Sequence, residues 1–181
     1  MKIHPQTKQI KDAVDQILID HPRGEDFFNV LDEYIRDKAG LDLFKHALEQ
    51  IGDNILILSG GFGISVASKI RSGELPNISY MLFRGGIRKT GLVIINDIHL
   101  TKPLKTGVFF DDTIYGGRTF REIQKWVHDV TDVKVDKAFV IYDGRPDKLD
   151  DVDSVFRFYD FFKADPNYKF EAGSNSHLEN I

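Results

Sequence analysis

From Asn54 onward the chain is a succession of short apolar runs separated by amphipathic or glycine-rich stretches. The runs are Ile55-Leu56-Ile57-Leu58, Ile78-Ser79-Tyr80-Met81-Leu82-Phe83, Leu92-Val93-Ile94-Ile95, Val108-Phe109-Phe110 and Ala138-Phe139-Val140-Ile141-Tyr142, bounded by Gly, Pro or Asp. Runs this short and continuous suit strands buried on both faces, so they predict a mostly parallel sheet. Between them lie helical patterns, at Ile64 to Arg71 and at Thr119 to Val130, the second with Phe120, Ile123, Val127 and Val130 at spacings of three and four. Strand and helix in alternation predict an α/β fold: a doubly wound, mostly parallel five-stranded sheet with helices on both faces and ligands at the carboxyl ends of its strands.

Ahead of this core the pattern is helical. Ile10, Val14, Ile17 and Leu18 form one stripe, and Phe27, Val30, Leu31, Tyr34 and Ile35 another, with His21-Pro22-Arg23-Gly24 between them. Gly40 precedes a third helix containing Leu41, Phe44, Leu48 and Ile51. A chain of 181 residues, 41% hydrophobic, can bury one substantial core, so a single domain is expected. Its parts are a helical N-terminal extension (1–51), the core (52–145), and a C-terminal helix with a polar tail (146–181). The acidic run Asp147 to Asp153 is expected to open that last helix, where negative charge suits the N-terminal dipole.

A formal charge of −4 argues against a nucleic-acid coat or a membrane-surface protein, which need a basic excess, so any phosphate binding must be local. With no Cys there is no disulfide scaffold, thiolate zinc site or Cys nucleophile. His4, His21, His46, His99, His128 and His177 show no paired metal-ligand spacing. The start of the chain lacks a leader's apolar core, and no apolar run approaches the roughly 20 residues that span a bilayer. A cytoplasmic protein is expected.

The chemistry concentrates in Gly107-Val108-Phe109-Phe110-Asp111-Asp112-Thr113-Ile114-Tyr115-Gly116-Gly117-Arg118-Thr119-Phe120. An apolar strand carries Asp111 and Asp112 to the rim of a sheet, where a vicinal diol can donate hydrogen bonds to them. Gly116 and Gly117 permit a tight turn, and the helix beginning near Thr119 aims free N–H groups at a phosphate. Two neighbouring acids repel unless cations or hydroxyl donors neutralise them, which disfavours a mere cap. Mg²⁺ is the cation implied, since it takes oxygen ligands and reaches proteins largely through substrate phosphates.

This segment resembles the 5-phosphoribosyl-1-pyrophosphate motif of the type I phosphoribosyltransferases: an apolar strand, two acids, then a short loop rich in Thr and Gly. Asp111, Asp112, Ile114, Gly117 and Thr119 occupy matching positions. Gly116 stands where members usually carry a Thr whose hydroxyl holds the 5′-phosphate, and Tyr115 where Thr, Ala or a catalytic Asp is common. The resemblance implies that the loop Gly116, Gly117, Arg118 and Thr119 holds the 5′-phosphate, with Thr113, Ile114 and Tyr115 also substrate-binding; a solvent-facing Arg118 is the alternative. Arg118 opposes its helix dipole, so a nearby anion would account for it.

Two further loops fall in the order that resemblance requires. Ser59-Gly60-Gly61, after the first strand, occupies the family's pyrophosphate position; it also reads as a plain strand-to-helix turn. Arg84-Gly85-Gly86-Ile87-Arg88-Lys89-Thr90-Gly91 is a cationic loop, and orotate-type members have an Arg and a closing basic loop there. Arg84, Arg88 and Lys89 would neutralise the leaving group; a solvated hairpin connection is the alternative. Dinucleotide and Walker fingerprints fit badly, because Val66 stands where a third Gly or Ala belongs and no Gly-Lys-Ser/Thr closes the loop.

The resemblance implies an enzyme that transfers phosphoribose from phosphoribosyl pyrophosphate to a small base, with Mg²⁺. Asp111, Asp112, Arg84 and Lys89 would be its catalytic residues, and Asp111 and Asp112 its metal contacts, directly or through water or substrate. Orotate is the first acceptor, since purine-salvage members often place an Asp at Tyr115. The competing reading is a module of the same fold that binds phosphoribosyl pyrophosphate or a nucleotide without turnover. An aspartyl phosphatase or receiver is disfavoured, because the acids follow the fourth strand rather than an early one. No nucleic-acid or membrane partner is expected, and a homodimer is compatible with the family. Phe156, Phe158, Tyr159, Phe161 and Phe162 are read as core or dimer contacts, a subset of which could line the base pocket.

Overall fold

The structure is a computed structural model and describes residues 16, 20, 40–114, 117–143 and 150–157. In chain order the elements are α1 (Gly40–Ile51), β1 (Ile55–Ser59), α2 (Gly60–Ser72), β2 (Tyr80–Phe83), α3 (Ile87–Thr90), β3 (Ile95–His99), β4 (Thr106–Ile114), α4 (Arg118–Val130), β5 (Lys134–Asp143) and β6 (Val152–Arg157). The six strands form one sheet in the order β3-β2-β1-β4-β5-β6. Every neighbouring pair is parallel except β2–β3, which is antiparallel.

The period of two along each strand sorts the core into two layers. Ile55 and Ile57 of β1, Phe109 of β4 and Ala138 and Val140 of β5 face α4, whose Phe120, Ile123 and Val127 recur at helical spacing and are buried against them. Each such side chain contributes about 1.5–3 kcal/mol by leaving water. On the other face a ladder of rings runs Phe44–Phe62–Phe110–Phe139, with centroids 5.3, 5.2 and 6.4 Å apart, and binds α1 and α2 to β4 and β5. Helices therefore cover both faces. Between Gly107 and Val108 the β4–β5 register slips by one residue, so that Val135 and Ala138 reach the same layer.

Glycine sets the closeness of the first α/β unit. A Cβ at Gly63 would stand 3.0 Å from both Leu58 Cβ and Leu82 Cδ1, and 3.1 Å from the Leu58 carbonyl carbon. Only a bare Cα lets the first turn of α2 lie this near β1 and β2.

The α/β class stands as expected, with four corrections of detail. The sheet has six strands, because residues 152–157 pair with β5 as a parallel strand where a helix was expected. In Val152-Asp153-Ser154, Val152 and Ser154 are buried and Asp153 exposed, a strand alternation that the acidic run disguises. The third strand is Ile95–His99 rather than 92–95, and its exposure alternates because one face packs on the core and the other is open. The segment after β2 joins two antiparallel strands, as the hairpin alternative has it, but it carries a single helical turn, α3, bracketed by Gly86 (φ 85°) and Gly91 (φ 66°) and anchored by buried Ile87. Finally, α2 starts directly at Gly60, so Ser59-Gly60-Gly61 is a strand end and a helix start with no loop between.

The two helical stripes expected before residue 36 and the aromatic side chains of 156–162 lie outside the described residues. No helix among those described is long and apolar enough to cross a membrane.

Candidate functional site

The order of the strands places the site. From β1 the chain builds outward to β2 and β3, then returns to the other side of β1 for β4, β5 and β6, so connections diverge between β1 and β4. A crevice opens at the carboxyl ends of strands where the winding reverses. Leu58 pairs with Phe110, so the next residues on the two strands are Ser59 and Asp111. There β1 ends, while β4 continues to Ile114 with β5 alone as partner.

At that step Ser59 Oγ donates a long hydrogen bond, 3.5 Å, to Asp111 Oδ2. Asp111 Oδ1 accepts the backbone N–H of Asp112 at 3.0 Å. Both acids are half-buried, and they lie within β4 rather than after it as the sequence suggested. Successive side chains of a strand leave opposite faces, so the two carboxylates address different sides of the crevice rather than forming one pincer.

Two helix N-termini flank the acids. Ser59, the residue before α2, is extended (φ −142°, ψ 156°) and its side chain makes no capping bond. Gly117, before α4, is left-handed (φ 69°, ψ 4°) and has no side chain to cap with. Neither helix has an acid in its first turn. Helix starts normally carry a capping oxygen or a carboxylate, because the first N–H groups lack intrahelical acceptors. Neither start is capped by the side chain of the residue before it, and both lie beside the same pair of carboxylates. Arg118, half-exposed in the first turn of α4, lies 3.9 Å from Glu122, one turn on. Thr119 is half-buried.

The segment after β2 closes on the same edge. Phe83 pairs with Ser59, so Arg84 follows at the crevice, and its N–H donates to the Ile94 carbonyl at 2.8 Å. A Cβ at Gly85 would meet Gly60 Cα at 3.2 Å, so the chain at 84–86 lies against the start of α2. The structure thus gathers Ser59, Gly60, Arg84, Asp111 and Asp112 at adjacent strand ends, with Gly117 to Thr119 opening α4 beyond β4. Arg88 and Lys89 belong to α3; their side chains, that of Thr113, and all of Tyr115 and Gly116 lie outside the described residues.

One residue was missed. Asp143 ends β5 beside Ile114 and is 1% exposed, a buried carboxylate one strand from the acids of β4. Its signal was present: an acid closes the run Ala138 to Tyr142 just as Asp111 closes Val108 to Phe110. A separate open groove of about 480 Å³, lined by His128, Thr131, Asp132, Val133, Lys134 and Asp136, lies at the amino end of β5, away from these groups. There His128 Nε2 accepts the Val135 N–H at 2.9 Å.

Asp111 and Asp112 are the crevice's candidate metal donors. Among the described residues no group of three or more His, Cys, Asp and Glu side chains converges. Two carboxylates without a further protein ligand suit Mg²⁺, which keeps its waters and takes substrate phosphates, and do not suit a closed zinc site.

No family model matches this chain. No curated protein matches it in sequence. Among solved structures it is similar to a purine phosphoribosyltransferase from Pyrococcus horikoshii, at 18% identity and TM-score 0.47, over 68% of this chain and 84% of that one. It is also similar to an orotate phosphoribosyltransferase from Francisella tularensis, at 15% identity and TM-score 0.46, over 68% and 67% of the two chains. A third is a hypoxanthine phosphoribosyltransferase from Staphylococcus aureus, at 17% identity and TM-score 0.41, over 65% and 71%.

Proposed function

We propose that the crevice between β1 and β4 binds a phosphorylated, activated pentose and that the chain is a phosphoribosyltransferase using phosphoribosyl pyrophosphate and Mg²⁺. The observation that carries this is the hydroxyl–carboxylate contact of Ser59 and Asp111 between two uncapped, acid-free helix starts. A ligand with hydroxyls in the middle and an anion at either end matches the chemistry of this arrangement, acceptors at the centre and helix starts on both sides. Asp111, beside Ser59, accepts hydrogen bonds from the ribose hydroxyls, and Asp112, on the other face of β4, adds its charge to the crevice. The turn into α4, with Gly117, Arg118 and Thr119, takes the 5′-phosphate, and the start of α2 with Ser59, Gly60 and Gly61 takes the pyrophosphate.

In the reaction a nitrogen of the acceptor forms a bond to C1′ while the C1′–oxygen bond to pyrophosphate breaks, both electrons of that bond leave with the pyrophosphate, and the proton of the acceptor N–H passes to water or to the departing pyrophosphate. Positive charge grows on the ring as negative charge grows on the leaving group. The carboxylates stabilise the first, and Arg84, with Arg88 and Lys89, the second. No protein nucleophile is required, and the protein's share is orientation and electrostatics. Mg²⁺, when bound, supplies neutralising charge to the pyrophosphate oxygens. Orotate, already anionic, is the first acceptor to try. Binding without turnover is the second reading, favoured by Gly116, which lacks the hydroxyl the motif usually presents to the phosphate.

Pyrophosphate release with Mg²⁺ and a panel of orotate, uracil, adenine, hypoxanthine and guanine tests the reading. Turnover with one base, abolished in Asp111→Asn/Asp112→Asn, supports the enzyme. Binding of phosphoribosyl pyrophosphate with no turnover supports the module, and neither binding nor turnover overturns both.

A further inference from the structure

The β1–β2 ladder ends at the pair Ser59 and Phe83, and there the two chains part. β1 turns at once into α2, whose first residue is Gly60, while the other chain runs on through Arg84, held by its N–H on the Ile94 carbonyl, and lies over that helix start. The contact is backbone on backbone. A Cβ on Gly85 would stand 3.2 Å from Gly60 Cα and 4.0 Å from Gly60 N, and would meet no other residue within 4 Å beyond its chain neighbours. Gly85 itself is exposed. Gly86 and Gly91 have positive φ and Gly85 does not, so a side chain at 85 would carry no backbone strain. What calls for glycine at this position is the approach to Gly60 alone.

The opposite flank of the same helix start is held by the Ser59 hydroxyl on Asp111. The N–H groups of Gly60, Gly61 and Phe62 have no intrahelical acceptor, and where Gly60 sits decides where they point. We propose that Gly85 is a positioning residue for this turn: its bare Cα lets the chain leaving β2 press on Gly60 and hold those N–H groups on one oxyanion, and so sets the affinity for pyrophosphate. The proposal rests on the reading of the α2 start as the pyrophosphate subsite. A methyl group at 85 must displace Gly60 by a few tenths of an ångström, and a branched side chain by more.

Calorimetric titration of the full chain with pyrophosphate in Mg²⁺ compares wild type, Gly85→Ala and Gly85→Val. Ribose 5-phosphate is the second probe, since it calls on Asp111 and the turn at Gly117 but not on α2. Pyrophosphate binding should weaken about threefold or more in Gly85→Ala and about tenfold or more in Gly85→Val, with ribose 5-phosphate binding and the urea midpoint unchanged. The single Trp, Trp126, packs edge-on against Phe83 with centroids 5.5 Å apart, so its emission reports unfolding from the end of β2 itself. Unchanged pyrophosphate affinity in Gly85→Val overturns the proposal alone, as does an equal loss for both probes or a lowered urea midpoint, which would mark a merely structural role. Wild type that binds ribose 5-phosphate but no pyrophosphate overturns the proposal together with the α2 subsite, and wild type that binds neither overturns it together with the whole reading of the crevice.

Discussion

Ser59 Oγ and Asp111 Oδ2 lie 3.5 Å apart across the one place in the sheet where the winding changes direction. The contact exists because β1 stops at Ser59 while β4 runs three residues past Asp111, so a buried hydroxyl and a half-buried carboxylate share an open strand end. Replacing Asp111 by Asn keeps the shape and removes the charge that steadies the sugar in the transition state. A loss of about 100-fold or more in kcat is expected, with a smaller change in KM. Ser59→Ala removes one hydrogen bond to a charged group and should cost about tenfold in kcat/KM. Steady-state pyrophosphate release measures both.

Gly117 enters α4 with φ 69°, a conformation that costs a residue bearing Cβ about 1–2 kcal/mol. A Cβ there would meet only Ile114 Cδ1, at 3.7 Å, so backbone strain rather than collision governs the outcome. Gly117→Ala should lower stability by about that amount in urea unfolding and weaken binding of inorganic phosphate. A variant as stable as wild type, with unaltered phosphate binding, would remove the turn from the site.

Gly63 makes the opposite argument, from space. Its neighbours at 3.0–3.1 Å include the Leu58 backbone, which cannot move without shifting β1. Gly63→Ala should destabilise by about 1–3 kcal/mol through overpacking, read as a lower urea midpoint at unchanged slope.

Asp97 reports on the fold's pH dependence. Hydrogen bonds from Tyr80 and then Arg71 hold its carboxyl below the usual carboxylate range. A depressed acid stabilises the folded chain fully above its unfolded value, about 3.9, and that contribution disappears as pH falls through the folded value. Asp97→Asn should therefore be less stable than wild type at pH 7, and the gap should narrow steadily below about pH 4. Urea midpoints at pH 7, 5 and 3 measure this; a gap that is constant with pH would mean that charge plays no part.

The sequence made the α/β frame legible because buried parallel strands are continuously apolar and α4 is strongly amphipathic. Where physics ran against pattern, reading failed. β6 hides behind the acidic run ending at Asp153, because a strand with one exposed face tolerates charge at alternate positions. β3 was placed three residues early, because the most apolar stretch, Leu92 to Ile95, lies mostly in the connection, and the edge strand itself is half polar. Asp111 and Asp112 were expected to follow β4, since charge normally ends a strand; pairing with β5 carries the strand through them. The residues of the candidate site were legible because Gly beside paired acids is a local signal. Asp143 closes its apolar run in the same way, but that it stands beside Ile114 comes only from the β4–β5 register.

Calorimetric titration with phosphoribosyl pyrophosphate in Mg²⁺ tests the central claim most directly. One molecule should bind per chain, and Asp111→Asn/Asp112→Asn should weaken binding by about tenfold or more. Equal affinity in wild type and variant, or no heat of binding in either, would contradict a pentose phosphate site between β1 and β4.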